Sequence, residues 1–160
     1  MPRYVSQRKG SYDCGPIALL NVLKWSGRPF SFKHDIYRLK KYCKYIRGKG
    51  VFSHDFSEAL RRYKSLSFCE RANITMKQID DHLDVNGIVV LLISWKEEGK
   101  RVGHYFIITS KIYKFYESHN FGDDSGYKAN TYLPRFKVVK YLRKSLRSHN
   151  EPKGWLIRKV

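Results

Sequence analysis

Acidic residues are scarce in this chain. Fourteen Asp and Glu stand against thirty-two Lys and Arg, which leaves a formal net charge of +18 and a pI near 9.9. Such a field attracts polyanions: nucleic acid, acidic proteins or anionic lipid surfaces. Phosphate attraction follows from the charge automatically, so charge alone assigns no function. Cysteine is scarce too. Cys14, Cys43 and Cys69 form an odd, widely spaced set without a CxxC pair. Neither a disulfide framework nor a zinc site is expected, and the reducing cytoplasm is the expected compartment. Long apolar runs are missing: the longest, "GIVVLLISW", suits a buried strand and is far too short to cross a bilayer. The segment "MPRYVSQRKG" is charged and leads into no apolar signal-type run, so no secretory signal is expected. Repeats, low-complexity tracts and linker-like composition shifts are absent. What remains is a globular composition, 42% hydrophobic and 15% aromatic, enough in 160 residues for one domain with a core.

The first strong pattern is "DCGPIALLNVLKWSG". Residues 14 to 26 predict a helix with Asp13 as N-cap, Pro16 in the first turn and Gly27 closing it. Its circumference is mostly apolar, which predicts a buried central helix. Ile36, Leu39, Cys43 and Ile46 recur at helical spacing over 33 to 46. "SHDFSEALRRY" predicts a short helix capped by Ser53, "KSLSFCE" a short strand, and "TMKQIDDHLDVNG" a helix capped by Thr75 and ended at Asn86-Gly87. From there the period changes. "IVVLLISW", "HYFIITSK" and "YKFYESHN" predict an antiparallel meander. "LPRFKVVKYLRKSLRSH" predicts a basic amphipathic helix on Val138, Leu142 and Leu146, and "GWLIRKV" a last strand. The order predicts an α+β fold: a mainly helical half over 1–84, and a sheet half with a basic C-terminal segment over 85–160. The helices are expected on one side of the antiparallel sheet.

Cys14 stands at the mouth of its helix, not inside it. There, unsatisfied N–H groups and the helix dipole favour a thiolate, and Gly15 is expected to leave room for a carbonyl carbon to approach the sulfur. A nucleophilic thiolate needs a base that also protonates the leaving amine. Of six histidines, His104 is distinguished by "RVGHYFIITS", at the first residue of an apolar strand and after Gly103. A base of this kind works best with its second ring nitrogen held by Asn or Asp. If the next strand pairs as a hairpin, Asn120 comes to the same sheet end while His119 points to the other face. Asp123 and Asp124 in the following loop are alternatives. Oxyanion donors would be the Cys14 N–H and the amide of Gln7, the one Gln or Asn upstream.

The order Gln7, Cys14, His104, Asn120 resembles the papain-like cysteine peptidases. "YDCGPIALLNVLKWSG" resembles the nucleophile helix of the bacteriocin-processing, double-glycine leader peptidase family and its stand-alone relatives. "GKGVFSHDFSEALRRY" is similar to the family's segment between helix and sheet. "NGIVVLLISW" and "GHYFIIT" are similar to its two core strands, the second opened by the catalytic His. The resemblance spans most of residues 4 to 125. It implies a papain-like peptidase domain over 1–160, a thiol mechanism without metal or organic cofactor, and a protein or peptide substrate. The family usually carries Asp where this chain has Asn120, and its Gln-to-Cys interval is slightly shorter. With no transporter or ATPase domain in the sequence, export-coupled leader removal is not implied. Two other readings remain open at this level. One is another thiol acyl-transfer enzyme on the same fold, an amidase or isopeptidase. The other is a catalytically silent basic domain that binds nucleic acid or an acidic partner, with Lys137 to Arg147 as its contact.

Overall fold

α1 (Cys14–Trp25) is buried over nearly its whole length, with Ile17, Leu19, Leu20, Val22 and Leu23 fully sequestered. The computed structural model describes residues 2–123, 126–148 and 150–160. Asp13 does not cap α1 with its side chain, which turns instead to Lys40 at 3.1 Å. The one polar residue in the middle of this helix, Asn21, is satisfied by the N-terminal arm. Its Oδ1 accepts the Val5 N–H and its Nδ2 donates to the Val5 carbonyl, both at 3.0 Å. A buried amide needs such partners, and here the need stitches the arm to the helix.

α2 (Phe32–Tyr42) and α3 (Ser53–Arg61) pack beside α1. Phe52, not Ser53, occupies the cap position of α3, and the Ser53 hydroxyl accepts from Lys153 at 3.0 Å. β1 (Leu66–Arg71) follows, then α4 (Met76–Asp84), whose start is the capping box expected from Thr75, reciprocated by Gln78. β2 (Ile88–Glu97), β3 (Lys100–Ile112) and β4 (Phe115–His119) form the meander. A small hairpin, β5 (Phe121–Asp123) and β6 (Gly126–Lys128), precedes β7 (Thr131–Pro134), α5 (Arg135–Arg147) and β8 (Lys153–Lys159).

The six-stranded sheet runs β1-β8-β2-β3-β4-β7, antiparallel throughout. Helices cover both faces, not one. Ile88, Val90, Tyr105, Ile107, Trp155 and Ile157 face α1 to α3. Val89, Leu91, Ile93, Phe106 and Ile108 face α4 and α5. The run "IVVLLISW" already carried this information, since a strand buried on one face alternates and one buried on both does not. In α5, Val138 and Leu142 are buried as expected, but Leu146 is exposed and Ser145 takes the inward position. The Ser145 hydroxyl bridges the main chain of Ser94, accepting its N–H at 3.2 Å and donating to its carbonyl at 3.0 Å. Among the described residues, no helix is long and apolar enough to cross a membrane.

Candidate active site

Cys14 and His104 come from opposite halves of the chain. β4 pairs with β3 up to Ile107 opposite His119, and then the main chain turns away at Asn120, whose φ is +62°. Its N–H bonds to the Lys128 carbonyl at 2.9 Å, which starts the β5–β6 hairpin. The edge of β3 over His104 to Phe106 is thereby left open on that side, and the first turn of α1 enters there. The N–H of Tyr105, next to His104, turns to the Cys14 thiol. Both side chains are nearly sealed, Cys14 8% exposed and His104 9%.

Nε2 of His104 lies 2.7 Å from the main-chain oxygen of Asn120. A carbonyl only accepts, so the neutral ring carries its proton on Nε2 and leaves a lone pair on Nδ1. Asn120 holds the imidazole through its backbone; the expected side-chain contact is not made. The left-handed turn explains the difference, because it aims the carbonyl at the ring and the side chain away from it. That side chain goes to Gln7. Oδ1 of Asn120 accepts the Gln7 N–H at 2.8 Å, and Nδ2 donates to Gln7 Oε1 at 2.9 Å. Nε2 of Gln7 then donates to the Ser11 carbonyl at 2.9 Å, with the Ser11 hydroxyl at 3.3 Å. Each amide orientation is fixed by a main-chain group at its other end.

His119, as expected, is not at this site. It is buried among Thr109, Ala129 and Asn130 and stacks on Tyr4 with ring centroids 3.7 Å apart. Asp124 lies outside the described residues, and Asp123 is described in its main chain, within β5.

The electrostatics depart from what a helix mouth alone predicts. Burial is the largest influence on the Cys14 thiol and pushes it above its ordinary value. The N–H groups of Tyr105, Gly15 and Cys14 itself favour the thiolate but do not overcome burial. Burial also drives His104 down to about 4, against the opposing contact with the Asn120 carbonyl. At neutral pH the pair therefore rests as thiol and neutral imidazole.

Gly15 also has a different role from the one expected. A Cβ there would stand 2.8 Å from both Cβ and Cγ2 of Val51, so the glycine admits Val51, not a substrate carbonyl. Val51 in turn accepts the Tyr105 hydroxyl on its carbonyl at 2.9 Å, tying the segment before α3 to the His104 strand. Three neighbours of the site carry no sequence signal: Ser11, Val51 and Tyr127. Tyr127 of β6 lies with its ring centroid 5.1 Å from that of His104, tilted by 30°.

A central buried helix opening on a Cys, set against a His-bearing edge of an antiparallel sheet, is a specific arrangement. The fold is that of C39 peptidase domains, a papain-like architecture. The peptidase domain of Streptococcus ComA, a bifunctional ABC transporter of a quorum-sensing pathway, superposes with a TM-score of 0.66. The identity is 14%, over the whole of both chains. A Bacillus anthracis protein described as a C39-like peptidase gives 0.60 at 10% identity, over 97% of this chain and 94% of that one. The peptidase domain of Streptococcus mutans ComA gives 0.55 at 14% identity, over 98% of each. No family model and no curated relative matches the sequence. At such identities the likeness establishes the C39 peptidase fold, and residue roles rest on this chain's own geometry.

Proposed function

We propose that this chain is a cysteine peptidase with Cys14 as nucleophile and His104 as general base and acid. The observation that carries the reading is the tautomer. With its Nε2 proton committed to the Asn120 carbonyl, the His104 ring has Nδ1 as its free lone pair, and that is the atom able to take the Cys14 proton. As Sγ attacks the scissile carbonyl carbon, the thiol proton passes to Nδ1 and the carbonyl electrons move to oxygen. Collapse breaks the C–N bond, and the imidazolium returns the proton to the departing amine. Water then hydrolyses the thioester by the reverse proton path.

The Cys14 N–H supplies one oxyanion donor. Gln7 supplies the second, because Nε2 has one strong bond, to the Ser11 carbonyl, and can give up the weaker contact to the Ser11 hydroxyl. Asn120 serves twice, its carbonyl orienting His104 and its side chain fixing Gln7. Protein or peptide is the substrate class. The charge of +18 favours acidic chains over basic ones, with the cation-lined surface of α5 (Arg135, Lys140, Arg143, Arg147) as a contact for them.

The test is enrichment of new N-termini from a cell lysate treated with the wild type or Cys14→Ala. Cleavages that depend on Cys14 and disappear in His104→Ala are expected. An identical set of termini with and without the thiol would sink the reading.

A further inference from the structure

We propose that Tyr127 controls access to the Cys14–His104 pair on the side from which the leaving amine departs. This role rests on the peptidase reading above. Among the described residues, two aromatic rings neighbour the His104 imidazole. Phe106, at 6.0 Å, is buried in the core against Phe121 and Tyr141 and has nowhere to go. Tyr127, at 5.1 Å, is half-buried and stands on β6, which among the described residues pairs with β5 alone. The ring has a made seat. A Cβ on Gly122 would lie 2.6 Å from a ring carbon of Tyr127, so the phenol occupies the space that a side chain at 122 would fill. The seat is itself anchored, since the Gly122 carbonyl accepts the Tyr141 hydroxyl of α5 at 3.1 Å. Burial raises the Tyr127 phenol, and ionisation of the Cys14 thiol would raise it further, so the two groups lie within electrostatic reach of each other.

One half-exposed ring thus lies against the His104 imidazole, while Phe106, the other aromatic neighbour of that imidazole among the described residues, is held in the core. The amine leaving the acyl group takes its proton from His104, so the residue after the scissile bond passes along the imidazole that Tyr127 covers. A substrate reaches Sγ by displacing the phenol or stacking on it. A flat or apolar side chain just after the scissile bond replaces the lost contact with His104, and Tyr127 thereby selects for it.

The test uses the full chain and two thiol probes, iodoacetamide and its bulkier N-naphthyl derivative. Labelling of Cys14 is read by mass spectrometry, with exposed Cys69 as reference and buried Cys43 as reporter of the fold. Removing the cover in Tyr127→Ala raises Cys14 labelling by the naphthyl probe about tenfold, and by iodoacetamide less, as the accessible fraction grows. Gly122→Ala does the same, because its methyl takes the ring's seat. Tyr127→Phe keeps the ring and labels as the wild type. Wild-type rates in both Tyr127→Ala and Gly122→Ala would overturn the proposal. So would acceleration in Tyr127→Phe equal to that in Tyr127→Ala, or Cys43 labelling in step with Cys14. None of these readings needs hydrolysis, so their failure removes the access role alone. Absence of Cys14-dependent cleavage removes the peptidase reading and with it the selection of a leaving residue, while the labelling differences still report the cover over Cys14.

Discussion

Asn120 meets His104 with its main-chain oxygen, 2.7 Å from Nε2, and spends its side chain on Gln7. The two jobs are separable by mutation. In Asn120→Asp the carbonyl is kept, but a carboxylate cannot donate to Gln7 Oε1 and sets oxygen against oxygen. His104 is expected to retain its Nε2–H tautomer, visible in imidazole nitrogen shifts. The arm should loosen, with a stability loss of about 1–3 kcal/mol. Faster hydrogen exchange at the Gln7 amide checks this. Protection equal to wild type would show that the side chain does not hold the arm.

Acid should weaken the fold through His104. Its pKa falls from 6.5 in the unfolded chain to about 4 in the folded one, so between those values the unfolded state binds more protons. Stability is fully present above pH 6.5 and is lost as pH falls toward 4, by at most about 3 kcal/mol from this group. His82 and His119 are shifted in the same direction, also by burial, and add to the slope. In His104→Gln, denaturant titrations from pH 7 to 4 should show a shallower decline than the wild type.

A buried neutral thiol should behave as one. Alkylation of Cys14 in the free protein is expected to climb with pH beyond the ordinary thiol range, since burial raises it. His104→Ala should change that profile little while abolishing hydrolysis. A labelling plateau that persists down to pH 5 would instead indicate a preformed thiolate–imidazolium pair and contradict the resting state described here.

Gly15→Ala tests the contact beside Cys14. The added methyl meets the Val51 side chain at 2.8 Å, and overpacking of this kind costs about 1–3 kcal/mol. Val51→Ala should restore much of the loss in the double variant, a coupling measurable by chemical denaturation. Additive effects would mean that the helix start shifts without Val51.

Much of the architecture was legible because it depends on near neighbours in the chain. The apolar circumference of α1, the Thr75–Gln78 capping box and the uninterrupted run of β2 follow from spacings of one to four residues. The same local logic puts Cys14 at a helix start and His104 where β3 becomes buried. It fails where the deciding partner is remote. Leu146 and Ser145 in α5 differ by one position on the helix, and only the Ser94 main chain opposite shows which one faces inward.

What the sequence determined by itself was the set of reactive residue types and the elements that carry them. Tertiary structure decided which atoms of those residues meet. The left-handed backbone at Asn120 turned a carbonyl and not an amide to His104, and a bond across 113 residues took that amide to Gln7. Burial, a property of the assembled core and not of any local segment, set the resting thiol and imidazole against the helix-end field. Hydrogen-bond partners and solvent exposure are fixed only when the two halves of the chain meet, and at this site both decide where the Cys14 and His104 protons rest.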